Sequence, residues 1–180
     1  MNSTSRWITA ATGLSVGVAA GAAVKRARAR NRPPETVSYV DLSRYQGRWF
    51  EIARYPAPFE KHCARNATAY YTLRDGKMRV VNTCTTAGGE ILQTSGWAST
   101  QDTQTNAKLR VRFGPFARGA YWILDLAPDY SFAVVGDPSR RYLWILSREP
   151  TLDETVFDRI CDRLPEFGYD PARVRRTLQE

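Results

Sequence analysis

From Gly47 to Arg148 the chain repeats one unit, a short apolar-alternating run closed by a turn signal, and no long amphipathic segment interrupts the series. The runs are "GRWFEIARY", "TAYYTL", "MRVVNTC", "ILQTSGWAST", "AKLRVRF", "AYWILDLA", "SFAVVG" and "RYLWILSR". Regular spacing of this kind predicts an antiparallel sandwich or barrel. Eight runs is the number of strands that closes a barrel around one small ligand. The expected fold is therefore all-β, an eight-stranded antiparallel up-and-down barrel. Between the second and third runs, "RDGK" offers Asp75-Gly76, the residue types that accept the positive φ angles of a two-residue hairpin turn. "GPFARG", "PDY" and "DPSR" read as further connections.

Alternation assigns the two faces. In "AKLRVRF", Lys108, Arg110 and Arg112 require water, which turns Leu109, Val111 and Phe113 inward. The same logic turns Ala69, Tyr71 and Leu73 inward on the second run and Met78 and Val80 on the third. Gly96 and Ala98 put small residues on the inner face, an arrangement expected to widen the interior. On the last run Tyr142, Trp144 and Leu146 share the parity of Arg148 and face inward.

After Pro150 the period changes. Val156, Phe157, Ile160, Cys161, Leu164 and Phe167 recur at helical spacing, with Asp153 and Glu154 in the first turn and Gly168 at the end. This predicts a C-terminal helix packed on the barrel wall, with Cys161 a buried, inert thiol on its apolar stripe. The tail "DPARVRRTLQE" reads as extended or lightly docked.

Residues 1–32 form a leader, and the domain spans 33–180. Six of the 26 basic residues (Arg6, Lys25, Arg26, Arg28, Arg30 and Arg32) and no acid precede Pro33, so the domain carries 20 basic against 18 acidic residues. Most of the overall charge of +8 thus belongs to the leader, and the domain, at +2, gives little reason to expect nucleic acid. Arg6, the run "WITAATGLSVGVAAGAAV" and Ala20-Gly21-Ala22 fit a secretory signal. The basic cluster "KRARAR" directly after it, with Gly13, Gly17 and Gly21 spaced for helix packing, fits an uncleaved membrane anchor. No cysteine lies in the leader, so lipid attachment to one there is excluded.

The three cysteines, Cys63, Cys84 and Cys161, form no C-x-x-C pair, and His62 is the single histidine, so neither a metal nor another cofactor is called for. One disulfide with one leftover thiol is expected outside the cytoplasm. His62 and Cys63 are neighbours that a strand would point to opposite faces, which argues against a catalytic dyad. Glu51 shares the inward parity of Trp49 and reads as a buried acid, or one paired with an arginine or carried to the surface by strand irregularity.

Three positions meet at one end of such a barrel: Gly47-Arg48-Trp49 at the start of the first run, Asp129-Tyr130 at the turn between the sixth and seventh, and Arg148 at the end of the eighth. An arginine laid over the Trp49 indole would close that end through a cation–π contact. This set resembles the signature of the lipocalin family, a Gly-x-Trp, a turn ending in Asp-Tyr and a late arginine, over roughly Tyr39 to Asp170. "RYQGRWFEIARYPAPFEK", "YTLRDGKMRVVN" and "GDPSRRYLWILSR" are similar to the branch with bacterial outer-membrane, plant temperature-induced and apolipoprotein D members. Many bacterial members carry a lipid-modified cysteine at the mature N-terminus, which this leader lacks.

The resemblance implies a cup with Gly47, Trp49, Asp129, Tyr130 and Arg148 as its floor and Trp144 facing the cavity. Tyr71, Val80, Leu109, Val111, Phe113, Tyr142, Trp144 and Leu146 are the expected ligand-contacting residues. Phe59, Phe113 and Phe116 stand in or beside the mouth loops, which suits a lipophilic ligand or a membrane surface. Cys63 pairs with Cys84, near the mouth ends of neighbouring strands, or with Cys161. The expected function is binding, storage or transport of a fatty acid or lysophospholipid in the cell envelope, by a monomer or homodimer in the periplasm or on a membrane. An enzyme acting on a lipid held in the barrel and a protein-interaction module using the mouth loops are the competing readings.

Overall fold

The computed structural model describes residues 32–115 and 117–180. Strands β1 (Gly47–Arg54), β2 (Arg65–Arg74), β3 (Lys77–Thr85), β4 (Ile91–Thr100), β5 (Lys108–Phe113), β6 (Ala117–Leu126), β7 (Phe132–Gly136) and β8 (Leu143–Ser147) each pair antiparallel with the next. β1 pairs with both β2 and β8, which closes the barrel. The β2–β3 turn holds Asp75 at φ 49° and Gly76 at φ 72°, both in the left-handed region a two-residue hairpin demands. The loop expected over "GPFARG" is shorter, because β6 already begins at Ala117.

Two elements precede and follow the barrel. The short helix α1 (Leu42–Tyr45) is started by Asp41, whose carboxylate accepts from the Ser43 and Arg44 amides. Its single turn gives no periodic signal. Helix α2 (Glu154–Arg163) is capped by Asp153 and continues as a 3₁₀ turn over Leu164–Phe167 to Gly168, at φ 83°. Its Phe157 and Ile160, with Leu164 and Phe167, pack on Ile52, Leu124, Val134, Leu143 and Ile145, the outer faces of β1, β6, β7 and β8. Cys161 sits at the edge of this outer core, half-buried rather than buried as expected. Burial raises its thiol pKa above the usual range, which keeps it protonated.

The C-terminal tail is more than lightly docked. β1 and β2 pair only over Gly47–Phe50 and Thr68–Tyr71, and register shifts follow on both strands. Into the gap runs a ninth strand, β9 (Arg175–Arg176), antiparallel to β1. The Thr177 amide donates to Ile52 O at 2.9 Å, and the Asn66 amide donates to Leu178 O at 2.8 Å. Gln179 Nε2 spans the seam, donating to Glu51 O at 2.8 Å and Ala67 O at 2.9 Å. The splayed strands would otherwise leave these backbone groups without partners.

Candidate ligand-binding site

At the closed end, Trp49 is fully buried and donates its indole N–H to Tyr45 O at 2.9 Å. The Arg148 guanidinium lies 3.9 Å from the indole centroid. It donates to Gln46 O and Arg48 O through Nη1 (2.8 and 2.9 Å) and to Arg44 O through Nη2 (2.7 Å). Gly47 stands at φ 91°, and a Cβ there would sit 3.3 Å from Arg148 Nη1, so backbone angle and arginine approach both favour glycine. Asp129 accepts from the Ser131 amide, which fixes the turn carrying Tyr130; the Tyr130 hydroxyl accepts from the Asp41 amide at 2.9 Å. All five expected floor residues thus stand at one end.

Above Trp49 the interior is filled. Tyr45 packs on Trp49 at 4.8 Å between centroids and on Tyr71 at 5.6 Å. The Tyr121 hydroxyl receives that of Tyr71 and meets that of Tyr45, both at 2.9 Å. Burial pushes the Tyr71 hydroxyl up to about 12, so this hydroxyl chain stays protonated. Tyr71 therefore belongs to the base of the cup. Val80, Leu109 and Leu146 join it in the inner core, while inward Val111, Phe113, Tyr121 and Trp144 keep partial exposure. Along β5 and β8 burial thus falls from floor to mouth, from Leu109 and Leu146 to Phe113 and Trp144.

Gly96 does not widen the interior. A Cβ there would meet Arg112 O at 2.3 Å and Phe113 Cδ1 at 2.7 Å, so the small residue lets β5 cross close by and the Phe113 ring take the space.

The mouth is built from distant segments. Asp137 caps the β7–β8 turn, accepting from the Ser139 and Tyr142 amides at 2.9 and 2.8 Å. Tyr142 stacks on Trp144 at 6.0 Å, and exposed Phe59, from the 3₁₀ turn Pro58–Glu60, covers both at 5.3 and 6.4 Å. From the same turn Glu60 Oε1 accepts the Trp144 indole N–H at 3.1 Å, and its Oε2 lies 3.4 Å from Arg54 Nε. Arg54 and Glu51 face inward, in register with Trp144 and Leu146, because the irregularity at Ile52 restores their parity. Arg54 Nη1 binds Glu51 Oε1, which also accepts from Thr177 Oγ1 at 2.5 Å, and Arg54 Nη2 donates to Cys63 O at 3.1 Å. Glu51 is thus both buried and paired. Burial, then the neighbouring Glu51, push the Glu60 carboxyl up to about 7 against the opposing pull of Arg54.

Cys63 is bonded to Cys84, with Cα atoms 5.5 Å apart, which tethers the mouth loop to β3 and leaves no thiol beside exposed His62. A bridge closing a loop of this length stabilises by about 3 kcal/mol in the chain-entropy account. Among the described residues no cluster of His, Cys, Asp and Glu could hold a metal ion. A recess of about 450 Å³ also lies outside the barrel, between residues 35–39, β6, Tyr130, Arg163 and Phe167. Phe116 and the leader up to residue 31 lie outside the described residues.

Residues 40–179 match the model of the lipocalin-like domain. The chain is a lipocalin. It is 38% identical over 154 residues to temperature-induced lipocalin-1 of Arabidopsis thaliana, covering 81% of this chain and 82% of that one. To the outer membrane lipoprotein Blc of Escherichia coli K12 it is 38% identical over 147 residues, 78% and 82% of the two chains. To mouse apolipoprotein D it is 33% identical over 155 residues, 81% and 80%. In fold it is similar to lobster apocrustacyanin A1, with a TM-score of 0.64 at 17% identity over 83% and 91% of the two chains. Lipocalins bind small hydrophobic ligands. The Glu51–Arg54–Glu60–Trp144 cluster of this lipocalin escaped sequence reasoning, since Glu60 and Trp144 lie 84 positions apart and no local pattern links them.

Proposed function

We propose that this lipocalin binds, stores or carries a single-chain lipid, a fatty acid or lysophospholipid, with the chain in the upper barrel and the head near the mouth. The gradient of burial carries this reading: side chains of one inward face are sealed at Leu109 and Leu146 but partly exposed at Val111, Phe113 and Trp144. Tyr71 and Val80 form the lower limit, and Tyr142 and Trp144 the aromatic wall. The reading is of a binder rather than an enzyme, and of a protein of the cell envelope. A disulfide suits an oxidising compartment, and four of the relatives are named outer membrane lipoproteins.

Tryptophan fluorescence of the full chain, titrated with palmitate and with a palmitoyl lysophospholipid, tests it. Saturable quenching that largely disappears in Trp144→Phe is expected. Equal quenching in that variant would move the lipid elsewhere, and no response to either lipid would remove it from the barrel.

A further inference from the structure

Helix α2 covers the outer faces of β1, β6, β7 and β8, whereas the outer face from β3 to the start of β6 is strongly charged. Pairing register makes Arg79 of β3, Trp97 of β4, Arg112 of β5 and Arg118 of β6 direct neighbours, a row about 14 Å long at the usual spacing between strands. All four are exposed, because Met78, Val80, Gly96, Ala98, Val111 and Phe113, which flank them along the strands, point into the barrel. Lys77 and Arg110 lie on the same outer face and are exposed too.

The positive charge of this face is uncompensated. Strands β2 to β5 contain no Asp or Glu, and the single acid of β6, Asp125, is bound to Arg163 of α2. Acids occur only in the connections, as Asp75, Glu90 and Asp102, and Asp102 is occupied by Gln104 and Thr105. None of Lys77, Arg79, Arg110, Arg112 and Arg118 belongs to an ion pair among the described residues. Arg112 stands directly opposite Arg118, a like-charged cross-strand pair that costs stability.

Apolar groups share the face. Tyr70 of β2 and Ile91 and Trp97 of β4 are among the exposed large hydrophobic side chains, and all three point outward with the arginines. Aromatic rings and an aliphatic chain set among cations suit the boundary between lipid head groups and water. The row lies just below the mouth, since Arg112 and Arg118 flank the β5–β6 connection. Arg140, in the β7–β8 turn at the mouth, donates to Arg32 O, so residues 1–31, with their apolar run, attach to the domain at that same end.

We propose that the outer face from β3 to the start of β6, centred on Trp97, docks on a bilayer surface rich in anionic phospholipid and holds the mouth beside it. Guanidinium forks match lipid phosphates, and the indole enters the head-group layer between them. A duplex nucleic acid offers the same phosphates but no layer for Tyr70, Ile91 and Trp97 to enter. The proposal stands apart from the cavity reading, because the row is on the outside of the wall.

Tryptophan quenching by phospholipid brominated near the head group tests it. The full chain is titrated with vesicles of brominated phosphatidylglycerol and phosphatidylcholine, or of brominated phosphatidylcholine alone. With the anionic vesicles part of the quenching should disappear in Trp97→Phe and persist in Trp144→Phe; with the neutral ones that part should be absent. The lipid concentration giving half of the Trp97-dependent quenching should rise about tenfold or more in the double variant Arg112→Gln with Arg118→Gln. Arg159→Gln, which removes an exposed charge from α2 across the barrel, should shift it less than twofold by the same account. Quenching unchanged in Trp97→Phe, a Trp97 component as strong on neutral vesicles, or a double variant like the native chain overturns the proposal. Duplex DNA bound through Arg112 and Arg118 while vesicles leave Trp97 unquenched would make the face a nucleic-acid surface and overturn it as well.

Discussion

The two ends of the barrel use the same chemistry to opposite effect. At the floor, Arg148 lies on a buried indole and its nitrogens meet backbone carbonyls, acceptors without net charge that suit a single cation. At the mouth, Arg54 is shared between two carboxylates, and the loop-borne Glu60 keeps an oxygen without a donor. The floor is a satisfied structure of neighbouring backbone, Tyr45 and Trp49. The mouth is assembled from β1, β8, a loop and the tail, and is left incomplete. A fully satisfied polar group stabilises a closed wall, whereas a half-satisfied one is costly unless something else completes it.

Breaking the floor should have the largest effect. Trp49→Ala removes the largest fully buried side chain among the described residues and should cost about 3–5 kcal/mol in urea-induced unfolding. Arg148→Met, which keeps the apolar stem over Trp49 but strands the carbonyls of Arg44, Gln46 and Arg48, should cost about 2 kcal/mol. Arg148→Lys should recover little of this, since one ammonium cannot reproduce the planar fork. The mouth should respond to pH instead. Folding raises the Glu60 pKa, so the folded state binds the extra proton, and stability falls as pH rises from about 4.5 to about 7. Glu60→Gln should remove that decline, a gain on the order of 1 kcal/mol at pH 8, read as a melting temperature that no longer drops over this interval. A loss of stability in Glu60→Gln at pH 8 would mean that the mouth is as satisfied as the floor.

Sequence reached the floor and missed the mouth for one physical reason. Gly47, Trp49, Asp129-Tyr130 and Arg148 sit at the ends of strands whose alternation is readable, and antiparallel order brings alternate ends together. Period and parity alone therefore determined the barrel, the inward faces of β5 and β8, the hairpin at Asp75-Gly76 and the helix on the wall. Tertiary structure alone decided the rest. Whether Gly96 opens space or yields it to Phe113 depends on how closely β4 and β5 approach. Whether Cys63 meets Cys84 or Cys161 depends on the distance between their Cα atoms. The tail fills the seam because irregularities in β1 and β2 part them, and Glu60 reaches Trp144 because a loop without periodicity folds back over the mouth. Side-chain period is a property of the local backbone and is written in the chain. The partner of a buried charge is set by closure of the whole barrel, which no local pattern encodes.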